Sequence, residues 1–180
     1  MTDCIFCTVP ELLSSTLPVY CIGIPVPNKT DYLRYSSINI SPILSQSDFS
    51  EMTIFTPGAR LSLTLDDANK LINHRHAWTT IMNNEEPYGA IFENPDDVAN
   101  TDIRFRLENL KLPKDWDVIE ISDTQYVLNK RAAKIFVEST LQYHAPVKPF
   151  IESFVILKVF NLEGERVTSS AKVKTPKGRS

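Results

Sequence analysis

The stretch from Leu63 to Asp97, LTLDDANKLINHRHAWTTIMNNEEPYGAIFENPDD, decides the architecture. Ala68, Leu71, Ile72, Trp78, Ile81 and Met82 recur in it at three- and four-residue spacing, which puts one apolar face on a helix over Asp66–Asn83. Thr64, with Asp67 three residues on, has the form of a capping box in which the shorter Asp takes the Glu position. Pro87 lies past the far end, and Ala90-Ile91-Phe92 then reads as a short buried strand. A long amphipathic helix running into a buried strand is the repeating unit of an α/β protein.

The rest of the chain extends that alternation. On the amino-terminal side, Val19–Ile24 is a compact apolar strand closed by Pro25 and Pro27, and Met52–Phe55 predicts another short strand. Residues 1–17 read as an extension with a short helix near Glu11–Ser14. Toward the carboxyl terminus, residues 95–112 hold a polar connection with a helix. Val118–Ser122 and Gln125–Leu128 are two short strands. Asn129 caps a helix through about Gln142, with Ala132, Ala133, Phe136, Val137 and Leu141 inward, and Phe154–Phe160 is a final strand.

Composition bounds the function. The 180 residues, 42% of them hydrophobic, suffice for one domain with a core. A formal net charge of −3 argues against nucleic-acid binding, which needs a concentrated basic surface. The exception is AKVKTPKGRS at 171–180, with four cations and no anion. It reads as a solvated tail, the alternative being a docking segment for an acidic partner. No run approaches the ~20 apolar residues of a membrane span, and the acidic start lacks the basic region of a signal peptide. The expected location is therefore cytoplasmic, which agrees with reduced thiols at Cys4, Cys7 and Cys21. Cys4-Ile-Phe-Cys7 is a CxxC, but no second pair completes a zinc site, so its cysteines are read as incidental. Neither a Gly-rich phosphate loop nor a Gly-x-Ser-x-Gly elbow is present.

Three segments, in order and spacing, resemble glycosyltransferase family 25, the lipooligosaccharide and collagen galactosyltransferase group. The first is Leu63-Thr64-Leu65-Asp66-Asp67 with His74 and Trp78, similar to the family's Leu-Thr-x-x-Glu and Ser-His-x-x-x-Trp. The second is Pro87-Tyr88-Gly89-Ala90-Ile91-Phe92-Glu93, similar to Pro-Tyr-x-x-hydrophobic-x-Glu-Asp-Asp. The third is Leu112-Pro113-Lys114-Asp115-Trp116-Asp117, similar to Leu-Pro-x-Asp-Trp-Asp, followed by Tyr126-Val127-Leu128-Asn129. The likeness covers roughly residues 19–152. It marks 18–160 as a family 25-like domain between the 1–17 extension and a polar basic tail at 161–180.

The resemblance implies a GT-A fold, here a mixed, mainly parallel sheet flanked by helices in a single domain. It also implies a UDP-sugar donor, a hydroxyl acceptor and a divalent cation, Mn²⁺ or Mg²⁺, on the Glu-Asp-Asp segment. Such a cation neutralises the charge that develops on a nucleoside diphosphate leaving group. In this chain the segment reads Glu93-Asn94-Pro95, and acids return at Asp96 and Asp97. A two-residue slip makes Glu93, Asp96 and Asp97 the expected metal ligands. The first strand ends in prolines where the family has two arginines, and the loop at Ser122-Asp123-Thr124 is shorter than the family's. Pro146-Val147-Lys148 places a cation where the family has an acid.

His74 shares a helix face with Leu71 and Trp78. It is either a hydrogen-bonded, partly buried histidine or, as the resemblance implies, a residue that supports the nucleotide-sugar site. His76 lies on another face and is expected in solvent, His144 falls in a loop, and Trp116 is a core residue. The function expected is a metal-dependent transfer of a hexose from a UDP-sugar to a hydroxyl. The alternative is a catalytically inactive copy of the fold serving as an interaction or structural protein.

Overall fold

A computed structural model describes residues 6–8, 18–22, 34–38, 63–93, 101–139 and 145–167, with positions 45, 47, 57 and 58. In chain order the elements are β1 (Phe6–Thr8), β2 (Pro18–Ile22), β3 (Arg34–Ile38), α1 (Leu65–Asn83), β4 (Tyr88–Phe92) and α2 (Thr101–Asn109). They continue with β5 (Lys111–Pro113), β6 (Val118–Glu120), β7 (Tyr126–Asn129), α3 (Lys130–Glu138), α4 (Val147–Glu152) and β8 (Val159–Asn161).

Six strands form one sheet in the order β3-β2-β4-β7-β6-β8, while β1 and β5 make a separate antiparallel ribbon. The pairs β2–β3, β2–β4 and β6–β8 are parallel, and β7 is antiparallel to both β4 and β6. Five strands therefore point one way and β7 alone among them points back, so the sheet is mixed and the fold is α/β. Alternation along each strand divides the core in two. Tyr20, Ile22, Ile91, Val118, Tyr126 and Leu128 face α1, α3 and α4. Val19, Cys21, Ala90, Phe92, Ile119 and Val127 face the other side, against Leu107 of α2, Leu112 of β5 and Trp116. Gly89 lets α1 approach β4 closely, since a Cβ there would lie 2.8 Å from Ile81 Cγ1 and 2.9 Å from Tyr20 Cε2.

α1 begins where the sequence places it. The Thr64 hydroxyl oxygen accepts from the Asp67 N–H at 3.1 Å, satisfying one first-turn donor, and donates to the Asp67 carboxylate at 2.8 Å. The buried face comprises Ala68, Leu71, Ile72, Asn73, His74, Ala77, Trp78 and Ile81. α3 is capped by Asn129, whose Oδ1 accepts from the Ala132 N–H at 2.8 Å. It is described as far as Glu138, and residues 140–144 lie outside the described set.

The end of the chain corrects the predicted strand over Phe154–Phe160. Its first part is instead the exit from α4, a turn whose Ser153 N–H bonds back to Pro149, and only Val159–Asn161 is strand. Pro149 stands in the first turn of α4, where a missing N–H costs no helical bond. Val155 is 81% exposed and Ile156 is exposed too, so the apolar run there is not a buried strand.

The Asp-Trp-Asp motif is a structural clamp at the amino end of β6. Asp117 is 1% exposed, and its carboxylate accepts twice from Arg131 Nη1, at 2.8 and 2.7 Å. It also accepts from the Lys158 backbone N–H at 2.9 Å and from Asn129 Nδ2 at 3.2 Å. One side chain thus ties β6 to the start of α3 and the entry to β8. Trp116 lies in the core as predicted, and Asp115 pairs with Lys158. Three sequence readings, the Met52–Phe55 strand, the Glu11–Ser14 helix and the tail at 171–180, lie outside the described residues, as does Cys4. Among the described residues no helix is long and apolar enough to cross a membrane.

Candidate active site at the carboxyl edge of the sheet

β3 lies on one side of β2 and β4 on the other, so the strand order reverses between β2 and β4. In open α/β sheets the crevice beyond the carboxyl ends at such a reversal is where ligands bind. Glu93 is the first residue beyond β4 and therefore stands at that edge. α1 crosses the same face and brings His74 to it.

His74 is 0% exposed and hydrogen-bonded through both ring nitrogens. Nε2 lies 2.7 Å from Glu93 Oε1, and Nδ1 lies 2.7 Å from the Tyr126 hydroxyl. Trp78 Nε1 donates to that same hydroxyl at 2.7 Å. The chemistry of the partners assigns the protons. An indole N–H only donates and an ionised carboxylate only accepts. A neutral His74 with its proton on Nε2 completes the chain: Trp78 N–H to Tyr126 O, Tyr126 O–H to Nδ1, and Nε2–H to Glu93. The four side chains make one directed line of hydrogen bonds from the core to the partly exposed Glu93 at the sheet edge. The imidazole stacks on the Tyr126 ring, with centroids 5.6 Å apart and an interplanar angle of 18°.

Glu93 is the wet end of this line, with 23% of its side chain exposed. Burial pushes its carboxyl up, but the His74 hydrogen bond, the Thr124 hydroxyl and Lys70 outweigh burial and hold it below the usual carboxylate range. Lys70 itself pairs with Asp66 at 2.9 Å. A depressed folded-state pKa means that this pairing stabilises the fold in full above the ordinary carboxylate range and ceases to do so as pH falls through the lowered value. Urea-unfolding midpoints should therefore separate wild type from Glu93→Gln at pH ~7, begin to converge below the ordinary carboxyl pKa of ~4.3, and meet only below the lowered folded-state value. A gap unchanged in acid would assign the stabilisation to something other than the charge.

Of the predicted site residues, the structure brings together His74 and Glu93; Asp96 and Asp97 lie outside the described residues. His74, being buried, meets solvent only through Glu93. His76 is exposed, as expected. Among the described residues no three His, Cys, Asp or Glu side chains converge as a metal cluster. The donor that Glu93 offers is nevertheless the hard, anionic oxygen that Mn²⁺ or Mg²⁺ takes, held in place by a hydrogen bond as ligating carboxylates are. Sequence reasoning read Tyr126 as a strand residue and as part of the third resembling segment, with no role in the site. Its hydroxyl links two α1 side chains, and the signal for it was a Tyr at a strand's first position, where one end of the ring can stay polar. The chain has no match among protein-family models, curated proteins or solved structures.

Proposed function

We propose that this chain is a metal-dependent glycosyltransferase of the GT-A kind, moving a hexose from a UDP-sugar to a hydroxyl acceptor. The observation that carries the reading is the His74–Glu93 pair, a carboxylate kept ionised by a buried imidazole at the carboxyl end of β4. Both residues belong to the motifs that resemble glycosyltransferase family 25.

In this reading Glu93, with Asp96 and Asp97 beside it in sequence, holds Mn²⁺ or Mg²⁺. The cation supplies charge neutralisation for the departing UDP. The chain's own residues do the positioning. Tyr126 and Trp78 fix the imidazole tautomer, His74 fixes one oxygen of Glu93, and the carboxylate stays partly exposed. Thr124, from the short turn between β6 and β7, also hydrogen-bonds to Glu93.

Titration calorimetry with UDP and UDP-hexoses, with and without Mn²⁺, tests this. The wild type should bind UDP only with the metal, and Glu93→Gln, shown by circular dichroism to be folded, should lose that binding. UDP affinity that ignores both Mn²⁺ and Glu93→Gln would sink the metal assignment. A second reading rests on Asn94-Pro95, which stand where the resemblance has acids. It makes the chain an inactive copy kept for interaction, and it requires no UDP binding at millimolar concentration.

A further inference from the structure

At the sheet edge opposite Glu93, the turn between α4 and β8 exposes two adjacent aliphatic side chains, Val155 at 81% and Ile156 at 64%. The residues on either side, Phe154 and Leu157, pack on the core. The turn is thus anchored at both ends while its two middle side chains are held out in water. One exposed aliphatic is ordinary, but an adjacent pair on an anchored turn makes an apolar tip that gains by leaving water.

Cations frame this tip. Arg131 Nη2 donates to the Ile156 carbonyl at 3.4 Å, and Arg166 Nη2 donates to the Leu157 carbonyl at 3.5 Å. Lys158 follows the turn directly and pairs with Asp115, whose neighbour Lys114 is exposed. The acids here are Asp115 and Asp117, and Asp117 is buried and taken by Arg131. Glu152, the nearest acid along the chain, acts on Glu120 at the other end of β6. Four cations against two acids leave an excess of two positive charges, in a chain whose net charge is −3. Among the described residues Lys114 and Arg166 have no ion-pair partner.

The basic segment at 171–180 is attached to the same edge. Arg166 bridges to Phe160, and the Val167 N–H donates to the Val159 carbonyl at 2.9 Å. The chain therefore runs back along β8 and reaches the amino end of that strand at Val167. AKVKTPKGRS begins four residues further on, within ~14 Å even at full extension. Binding at a membrane surface scales with the apolar area inserted plus the attraction of basic residues to anionic headgroups, and firm attachment takes both. A bilayer accepts a projecting aliphatic tip anywhere on its surface, whereas a protein partner needs a pocket shaped to it. We infer that this edge is a peripheral docking surface for an anionic lipid bilayer, with Val155 and Ile156 entering the headgroup region and Lys114, Arg131, Lys158 and Arg166 lying on the headgroups. The inference stands apart from the glycosyltransferase reading, whose residues lie at the other edge.

The test is co-sedimentation of the full chain with vesicles of phosphatidylcholine alone and of phosphatidylcholine with phosphatidylserine. The chain should bind the second kind only, and less tightly as salt rises. Val155→Ser with Ile156→Ser, both at exposed positions, should weaken binding about tenfold or more. Lys114→Gln with Arg166→Gln leaves the Asp115 and Asp117 pairs in place and should weaken it about fivefold per cation. Circular dichroism checks that each variant is folded. Two results overturn the inference. One is no saturable binding to the phosphatidylserine vesicles; poly-glutamate bound in their place would make the edge a docking surface for an acidic protein. The other is binding that neither pair of substitutions weakens but that glutamine at the four cations of 171–180 abolishes, which would assign it to that segment alone.

Discussion

Replacing Trp78 by Ala is expected to cost ~3–5 kcal/mol of folding stability, the range for deleting a fully buried aromatic ring. The indole is 0% exposed and lies where α1, α3 and α4 meet. It stacks on Phe150 at 5.7 Å and 19°, and tilts against Phe136 at 5.0 Å and 49°. Both neighbours would border the cavity, and neither is flexible enough to fill it. The substitution also removes the N–H that anchors the Tyr126 hydroxyl, so the damage reaches His74 and the candidate site. Urea unfolding followed by far-ultraviolet circular dichroism measures the loss. Domains of this size are stable by only ~5–15 kcal/mol, so the variant should be close to unfolded in modest denaturant. A loss well below ~3 kcal/mol would mean that the ring is not buried as described.

The second large effect is expected at Asp117, far from the proposed chemistry. Asp117→Ala deletes an acceptor that serves Arg131, the Lys158 N–H and Asn129 Nδ2 together. Hydrogen bonds to a charged group contribute ~1.5–3 kcal/mol each, and they are not additive here because they share one carboxylate. A total near ~3 kcal/mol is expected from the lost partners and the freed β8 entry. Arg131→Ala should cost less. The guanidinium is 55% exposed, so its removal lets water reach the carboxylate, which keeps its bonds to Lys158 and Asn129. The same unfolding experiment decides the order. If Arg131→Ala is the more damaging, the buried charge rather than the network dominates.

The parts of the fold legible in the sequence are those in which local and tertiary preferences agree. α1 combines apolar periodicity with a capping Thr64, and its described start lies one residue from the expected one. β4, β6 and β7 are short apolar runs bounded by turn residues, and all three are found. The expected strand at Phe154–Phe160 was drawn too long because Phe154 to Leu157 is as apolar as a strand, and nothing local says that Val155 and Ile156 point to solvent. The candidate site was half legible. His74 and Glu93 stood out through motifs, nineteen residues apart and in register with one crossing of the sheet. Tyr126 closes the same network from 52 residues away, a pairing fixed only when β7 docks on β4.

The reversed direction of β7 has a kinetic consequence. β6 and β7 are joined by the turn at residues 121–125 and form a hairpin, a pairing that closes in ~1–10 μs in isolation. Joining β4 to β7 closes a much longer loop, and that slower step unites the two halves of the sheet. The same step carries the Tyr126 hydroxyl to His74 and Trp78, and Thr124 to Glu93. A chain holding only its hairpin and helices has no site at all. A ligand of the finished site therefore has nothing to grip before the halves meet, and it should prolong the life of the native state by slowing unfolding while leaving the folding rate as it was.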